Sequence, residues 1–276
     1  MQRTAVALVG ACHPVPCVAV TAFATVLGLK AGAGAGTCVL LAVAVLAGQL
    51  SIGWSNDRLD VALDRAAVRT DKPLATGSLP LATVDRALAA ALAVTIGASL
   101  ALGWRAGLVH LGAVVCGWLY NLRLKATVLS WLPYALAFAA LPAIATLALP
   151  VPTGTAWWAL AAAALLGVAA HLTNALPDLR SDRAFGLRGL PHRLGARPSL
   201  LLAVAGSLAG SVVLVLGPAG SPSALRWAGL AVAATSGLAG GGFALRRPDT
   251  RWPFLGTIAV VALDLVLLLL GPSFVS

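Results

Sequence analysis

Asn56, Asp57, Asp60 and Asp64 place four oxygen-bearing side chains within one short stretch of chain. On a helix, residues four apart advance by about 40° around the axis, so Asn56, Asp60 and Asp64 form one polar stripe. Asp57 stands about 100° from Asn56, on the side of Asp64. Asp178 and Asp182 repeat the carboxylate spacing. The pattern Asn-x-x-x-Asp-x-x-x-Asp-Arg recurs in full from Asn174 to Arg183, at an offset of 118 residues. Carboxylates crowded in this way repel one another unless a cation intervenes. Hard Mg²⁺ prefers such oxygens and bridges them to phosphate while keeping several waters. The two groups therefore predict a clamp for Mg²⁺ carrying a diphosphate, with Asp57, Asp60, Asp64, Asp178 and Asp182 as its metal-holding, catalytic carboxylates. Arg65, Arg69, Lys72, Arg183, His192 and Arg193 surround them, and another turn adds Arg123 and Lys125. These groups suit neutralising phosphate and stabilising it as a leaving group. One acidic cluster alone would read as a solvated, ion-paired loop. Two of matched spacing, in a chain with only nine acids and no Glu, favour a site.

What must hold these groups is a membrane bundle. Hydrophobic residues make up 59% of the 276 and charged residues 10%, with a mean hydropathy of +0.92. A soluble domain carries about a quarter charged residues, so this chain cannot cover a surface facing water. That excludes a soluble enzyme, a disordered tail and a nucleic-acid-binding module. Apolar windows near 6–29, 36–54, 80–103, 107–122, 128–149, 156–176, 198–217, 224–244 and 253–271 predict nine transmembrane helices. The expected fold is all-α, a single domain over residues 1–276. With the N-terminus in the cytoplasm, 16 of the 19 Lys and Arg fall on the inner side. The outer three are Lys30, Arg105 and Arg226, a split that follows the positive-inside tendency. Eight of the nine Asp share the inner side, and Asp264 alone falls within a span. A cell-membrane protein with cytoplasmic site loops is the expected topology. The matched motifs each close the second span of a four-helix block, which predicts two four-helix halves plus a ninth helix around a central site.

The net charge of +10 would suggest nucleic acid in a soluble protein. In a membrane chain it reflects basic inner loops, so membrane lipid is the expected partner and nucleic acid is not. Cys12, Cys17, Cys38 and Cys116 show no metal or disulfide spacing and read as small buried hydrophobes. The apolar run continues past Cys12, which favours a first span over a cleaved signal. Phe23, Trp54, Trp118, Tyr120, Trp131, Tyr134 and Phe138 are candidate cavity walls, while Trp at span ends more often anchors the interface. His13 and His171 read as hydrogen-bond partners between helices, and Gly189 to Gly195 reads as a turn-rich lid.

On these motifs the chain resembles the UbiA superfamily of intramembrane prenyltransferases. The signature N-D-x-x-D-x-x-x-D is present as Asn56 to Asp64, followed by Arg69, Lys72-Pro73-Leu74 and Gly77. The second signature D-x-x-x-D runs from Asp178 to Asp182. The tyrosine–lysine element is Tyr120 to Lys125, one residue longer than the common Y-x-x-x-K form. The resemblance covers nearly the whole chain. It implies nine helices around a lipid-accessible cavity capped by the Asp loops, where Mg²⁺ binds the diphosphate of an isoprenoid donor. Ionisation then yields an allylic cation that a small aromatic or alcoholic acceptor attacks. It further implies that Asn56 contacts metal or phosphate, and that Arg65, Arg69, Lys72, Tyr120, Lys125 and Arg193 bind the diphosphate.

Two other readings share part of this pattern. A membrane terpene cyclase would use the same Asp motifs without an acceptor. A polar pocket beside the donor's first carbon favours transfer, and a wholly apolar, aromatic one favours cyclisation. A transporter with internal repeats explains the halves, but not why the acids gather at one membrane face.

Overall fold

The computed structural model describes residues 2–184, 186–246 and 250–276. Arg247 and Asp249, both assigned to the inner face above, lie outside them. The described residues form twelve helices: α1 (Gln2–Gly10), α2 (Pro14–Ala31), α3 (Ala35–Ala66), α4 (Leu81–Ala101), α5 (Trp104–Leu122), α6 (Leu132–Leu147), α7 (Trp157–Asn174), α8 (Leu179–Ala184), α9 (Leu190–Leu194), α10 (Ala196–Leu216), α11 (Ala224–Ala244) and α12 (Trp252–Leu270). Among them no strand forms beyond one isolated bridge, Thr155 to Val275. The all-α expectation holds, and the count of nine spans is not confirmed: ten of the twelve helices have at least seven residues. Six are long and apolar enough to cross a membrane: α2, α3, α4, α7, α10 and α12. Helix α6 is apolar but has 16 residues, and α5 and α11 are diluted by several Gly and one Arg each.

The extra helices have local causes. The first expected span breaks into α1 and α2 at His13, which takes a left-handed conformation with φ 57° directly before Pro14. A residue preceding proline is pushed out of the right-handed helical region, so the chain breaks where the proline demands it. Helix α3 passes so close to this break that a Cβ on Gly53 would collide with the Cys12 carbonyl. The other short helices, α8 and α9, build the second inner loop.

Consecutive long helices pack side by side, and α12 closes the bundle against α7, α10 and α2. Helix α3 has 32 residues, roughly 48 Å at 1.5 Å per residue, against a hydrocarbon core of about 30 Å. Its last turns, which carry Asn56 to Asp64, must therefore stand clear of the lipid. The cations expected on the opposite face serve the helix ends there. Lys30 donates to the Leu269 and Gly271 carbonyls at the end of α12, at 3.0 and 2.8 Å. Arg226 donates to the Leu214 and Val215 carbonyls at the end of α10. Helix C-termini leave four carbonyls without intrahelical partners, and a cation there also suits the dipole. Arg105 lies over the Trp104 ring at 5.2 Å.

Candidate functional site

The carboxylates of the first motif leave α3 in two directions, as its helical period requires. Asp57 is 1% exposed, and its Oδ1 accepts from Lys72 Nζ at 2.5 Å and from His13 Nε2 at 3.0 Å. Its Oδ2 is buried without a hydrogen-bond partner. Asp64, seven residues on, shares that side and sits among Lys72, Arg69, Asp57 and Asp60. Asp60 turns the other way and is ion-paired with Lys125, on the short 3₁₀ turn Leu124–Ala126 that follows α5. Asn56 is half-buried one turn before Asp60, at the far end of the arc from Asp57. The loop bearing Arg69 and Lys72 is held down by Leu74 and Leu79, each 1% exposed, in an apolar cluster with Ala11, Cys12 and Trp54.

The second motif is built differently. Asn174 ends α7, Pro177 intervenes, and Asp182 lies on α8 with its backbone N–H bonded to the Asp178 carbonyl at 2.8 Å. Asp182 accepts from His192 Nε2 at 3.1 Å. Arg183 donates through Nε to the His192 carbonyl at 2.7 Å, which ties α8 to α9. The Cβ of a larger residue at Gly189 would meet the Lys125 carbonyl, so this loop lies directly on the tyrosine–lysine turn.

Arg69 joins the motifs. Its Nη1 donates to Asp178 at 3.1 Å, while Nε and Nη2 grip both oxygens of Asp71 at 2.8 and 2.9 Å. That fork pulls the Asp71 carboxyl down to about 2 and raises the Arg69 guanidinium further. Tyr120 lies within electrostatic reach of both Asp60 and Asp182. Its ring meets Tyr134 edge-on at 5.2 Å, and Tyr134 stacks on Phe138 at 6.4 Å. These rings form an aromatic cluster within reach of the paired carboxylates and cations. Among the described residues no three His, Cys, Asp or Glu side chains converge closely enough to chelate an ion by themselves.

Of the residues singled out from the sequence, the structure brings together Asp57, Asp60, Asp64, Asp178, Asp182, Arg69, Lys72, Tyr120 and Lys125. Arg65 is exposed and donates to the Leu74 carbonyl at 3.4 Å, and Arg193 donates to the Arg188 carbonyl at 2.9 Å. Both are engaged in their own loops. Trp54 is committed to the Leu8 carbonyl at 2.9 Å and Trp118 to Ser51 at 3.3 Å. Asp71 and His13 were missed as site residues. Asp71 had a sequence signal in its place two residues from Arg69, and His13 had none, since its role depends on the break beside it. Asp85 pairs with Arg58 at 2.8 Å on the exposed surface, and Asp264 accepts from Ser211 at 3.0 Å inside the bundle.

A family model for the UbiA prenyltransferase family matches residues 15–267. The chain belongs to the UbiA prenyltransferase family. Together with the six apolar helices, this makes it a multi-pass membrane protein of the prenyl-transferring enzymes. The apo structure of a UbiA homologue from Aeropyrum pernix K1 superposes with a TM-score of 0.73 at 19% identity, covering 92% of this chain and 97% of that one. A UbiA homologue from Archaeoglobus fulgidus, solved bound to GPP and Mg²⁺, gives 0.71 at 18%, covering 95% and 99%. A digeranylgeranylglyceryl phosphate synthase gives 0.69 at 14%, covering 98% and 99%. At these identities the likeness is one of fold. No curated protein matches the chain.

Proposed function

We propose that the protein is a Mg²⁺-dependent prenyltransferase. In this reading it ionises an allylic isoprenoid diphosphate and passes the prenyl group to a small aromatic or alcoholic acceptor within the membrane. The observation that carries the reading is the Arg69 bridge, which draws the first loop onto Asp178 of the second motif. The homologue bound to DMAPP and Mg²⁺ and the one bound to GPP and Mg²⁺ lend support on the side of the donor.

The donor set fits the ion. Mg²⁺ is usually held by one or two carboxylates together with substrate phosphates and waters, not by an all-protein cage. Separated aspartates with no chelating trio have that form. Asp60, Asp64, Asp178 and Asp182 would hold the metal with Asn56 beside them. The orphaned Oδ2 of Asp57 leaves that carboxylate one acceptor to offer. When bound, Mg²⁺ neutralises the diphosphate charge and makes it a better leaving group.

The chain's own groups do the rest. Lys125 and Arg69 are paired with Asp60 and Asp178, and would turn to phosphate oxygens once metal takes the carboxylates. Lys72 is held by Asp57 and would serve the same phosphates. Arg65 and Arg193 lie farther out and would act on the diphosphate only through long-range charge. Tyr120, Tyr134 and Phe138 offer π faces that favour a cation without capturing it. The whole chain would act as one domain of nine spans, its N-terminus and Asp loops in the cytoplasm of a cell membrane, with lipid as its surroundings.

The test is incubation of purified protein with geranyl, farnesyl and geranylgeranyl diphosphates and Mg²⁺. Release of diphosphate that stops in EDTA is expected, with prenylated product forming once an acceptor is supplied. A cyclic hydrocarbon or alcohol formed without acceptor would make the enzyme a cyclase. No release from any donor would remove the reading.

A further inference from the structure

His171 carries a polar atom that nothing among the described residues satisfies. It lies on α7 one turn before Asn174 and is 2% exposed. Its Nε2 is 3.0 Å from Ser130 Oγ, and its Nδ1 is buried with no partner. Counting protons fixes the tautomer. Ser130 is fully buried and already accepts the Leu190 N–H at 3.0 Å. A hydroxyl has one hydrogen, and among the described residues the acceptor within reach of it is His171 Nε2. If Nε2 carried the proton instead, the Ser130 hydrogen and the Nδ1 lone pair would both be stranded. With Ser130 donating, one group is left over, an N–H on Nδ1. Buried donors without partners are rare and costly, so each calls for an explanation.

The surroundings of that N–H are those of the reaction. The His171 ring is 5.0 Å from the Tyr134 ring and 5.6 Å from the Tyr120 ring. Tyr120 in turn lies within electrostatic reach of Asp60 and Asp182. His171 thus stands in the aromatic cluster that lies within reach of the carboxylates, with a buried N–H left over. The orphan is a donor, so its complement is an oxygen with a free lone pair.

We propose that the His171 Nδ1–H binds the oxygen of the acceptor, a phenol, alcohol or carbonyl, and holds that molecule beside the ionising donor. This rests on the prenyl-transfer reading and deepens it. An aromatic cluster built only to shelter a cation during cyclisation has no use for an unpaired donor. Because Nδ1 already holds its proton, His171 positions the acceptor and does not deprotonate it. The Leu190 N–H and the Ser130 hydroxyl act through it by fixing the tautomer, and they couple the lid segment to acceptor binding.

The probes are para-cresol and para-xylene, alike in shape and differing in the hydroxyl. Dissociation constants are measured for wild type, His171→Phe and His171→Gln in lipid nanodiscs. The preference for cresol over xylene should be about tenfold greater in wild type than in His171→Phe, and His171→Gln, which retains an N–H, should recover part of it. Wild type labelled with ¹⁵N-histidine supplies a readout that needs no folded Phe variant. A neutral, Nδ1-protonated ring that shifts with cresol and not with xylene is expected. A ring protonated on Nε2, the same cresol-to-xylene ratio in wild type and His171→Phe, or no response to either probe at saturation would each overturn the proposal. Diphosphate release from geranyl diphosphate with Mg²⁺ separates the two failures. If wild type releases diphosphate while the probe results fail, the prenyl-transfer reading stands and this one falls.

Discussion

The two aspartate motifs share four residues at matched spacing, Asn, Asp, Asp and Arg, and differ in architecture. The first lies on one unbroken helix of 32 residues, and Asp57 and Asp60 are fixed by nitrogen donors from three other places: His13, Lys72 and Lys125. The second straddles a break, with Asn174 closing α7 and Asp182 on a six-residue helix. One residue makes the difference. Position 59 in the first copy is Leu, while its counterpart at 177 is Pro, which has no N–H to donate and clashes with the preceding turn. A rigid half thus faces a jointed one. A clamp that must admit a diphosphate and release it is well served by one fixed jaw and one that can adjust.

The largest effects should come from removing a carboxylate from either jaw. Asp60→Ala and Asp178→Ala should each lower diphosphate release by at least about 10³-fold, on the scale seen when transition-state charge loses a preorganised partner, with membrane insertion unchanged. Full activity in either variant, or undiminished turnover in EDTA, would end the metal-clamp account. The comparison sharpens if the Asp178 variant also loosens the joint. Its proteolysis between 175 and 190 should then speed up while the α3 end stays protected.

Next come the cations that span the jaws. Lys125→Met and Arg69→Met should lower kcat/KM for the donor by about 10²-fold. Arg69→Lys should rescue little, because a lysine ammonium cannot reproduce a guanidinium fork. An unchanged KM and kcat in Lys125→Met would remove that residue from the site.

Pro177→Ala tests the joint itself. Without the proline, α7 can run on into α8 and turn Asp178 and Asp182 around the axis, away from Arg69. We expect about a tenfold loss of turnover, the scale of a misplaced supporting group, in a protein whose helix content by circular dichroism rises. A gain in activity would show that the break serves only the fold.

How much of this could be read beforehand follows from the same contrast. The shared side of Asp57 and Asp64 was legible because a continuous helix turns spacing directly into direction, while Asp60, expected in one stripe with Asp64, turns to Lys125. Lys125 was legible as the partner of a motif at the expected turn. The repeat alone did not show that Asn174 donates to the Tyr134 hydroxyl at 3.4 Å, because spacing carries direction only while the helix persists. His13 was beyond reach for a related reason. Its contact with Asp57 exists only because the chain breaks at φ 57° and α3 passes the break at Gly53, contacts far apart in sequence. Lys30 and Arg226 were expected together on the outer face, but their use as caps depends on which helix ends meet them.

The smallest expected effect belongs to Asp71, and it tests whether the rigid jaw truly steadies the mobile one. Asp71 touches no substrate in this account. It holds the Arg69 fork while the remaining Nη1 reaches Asp178. Asp71 is half exposed, so solvent screening limits what the pair contributes, and Asp71→Asn should cost about threefold in kcat/KM by the lower range for outer supporting groups. The pH dependence distinguishes this from a general loss of charge. Arg69 depresses the Asp71 carboxyl to about 2, so the pairing is complete above the ordinary carboxylate value, about 4, and is lost only as pH falls towards 2. Between pH 5 and 8 the wild-type and Asp71→Asn profiles should therefore run parallel, separated by a constant factor. A ratio that changes within that window would mean that another titrating group sets the position of Arg69, and the bridge between the jaws would need a different anchor.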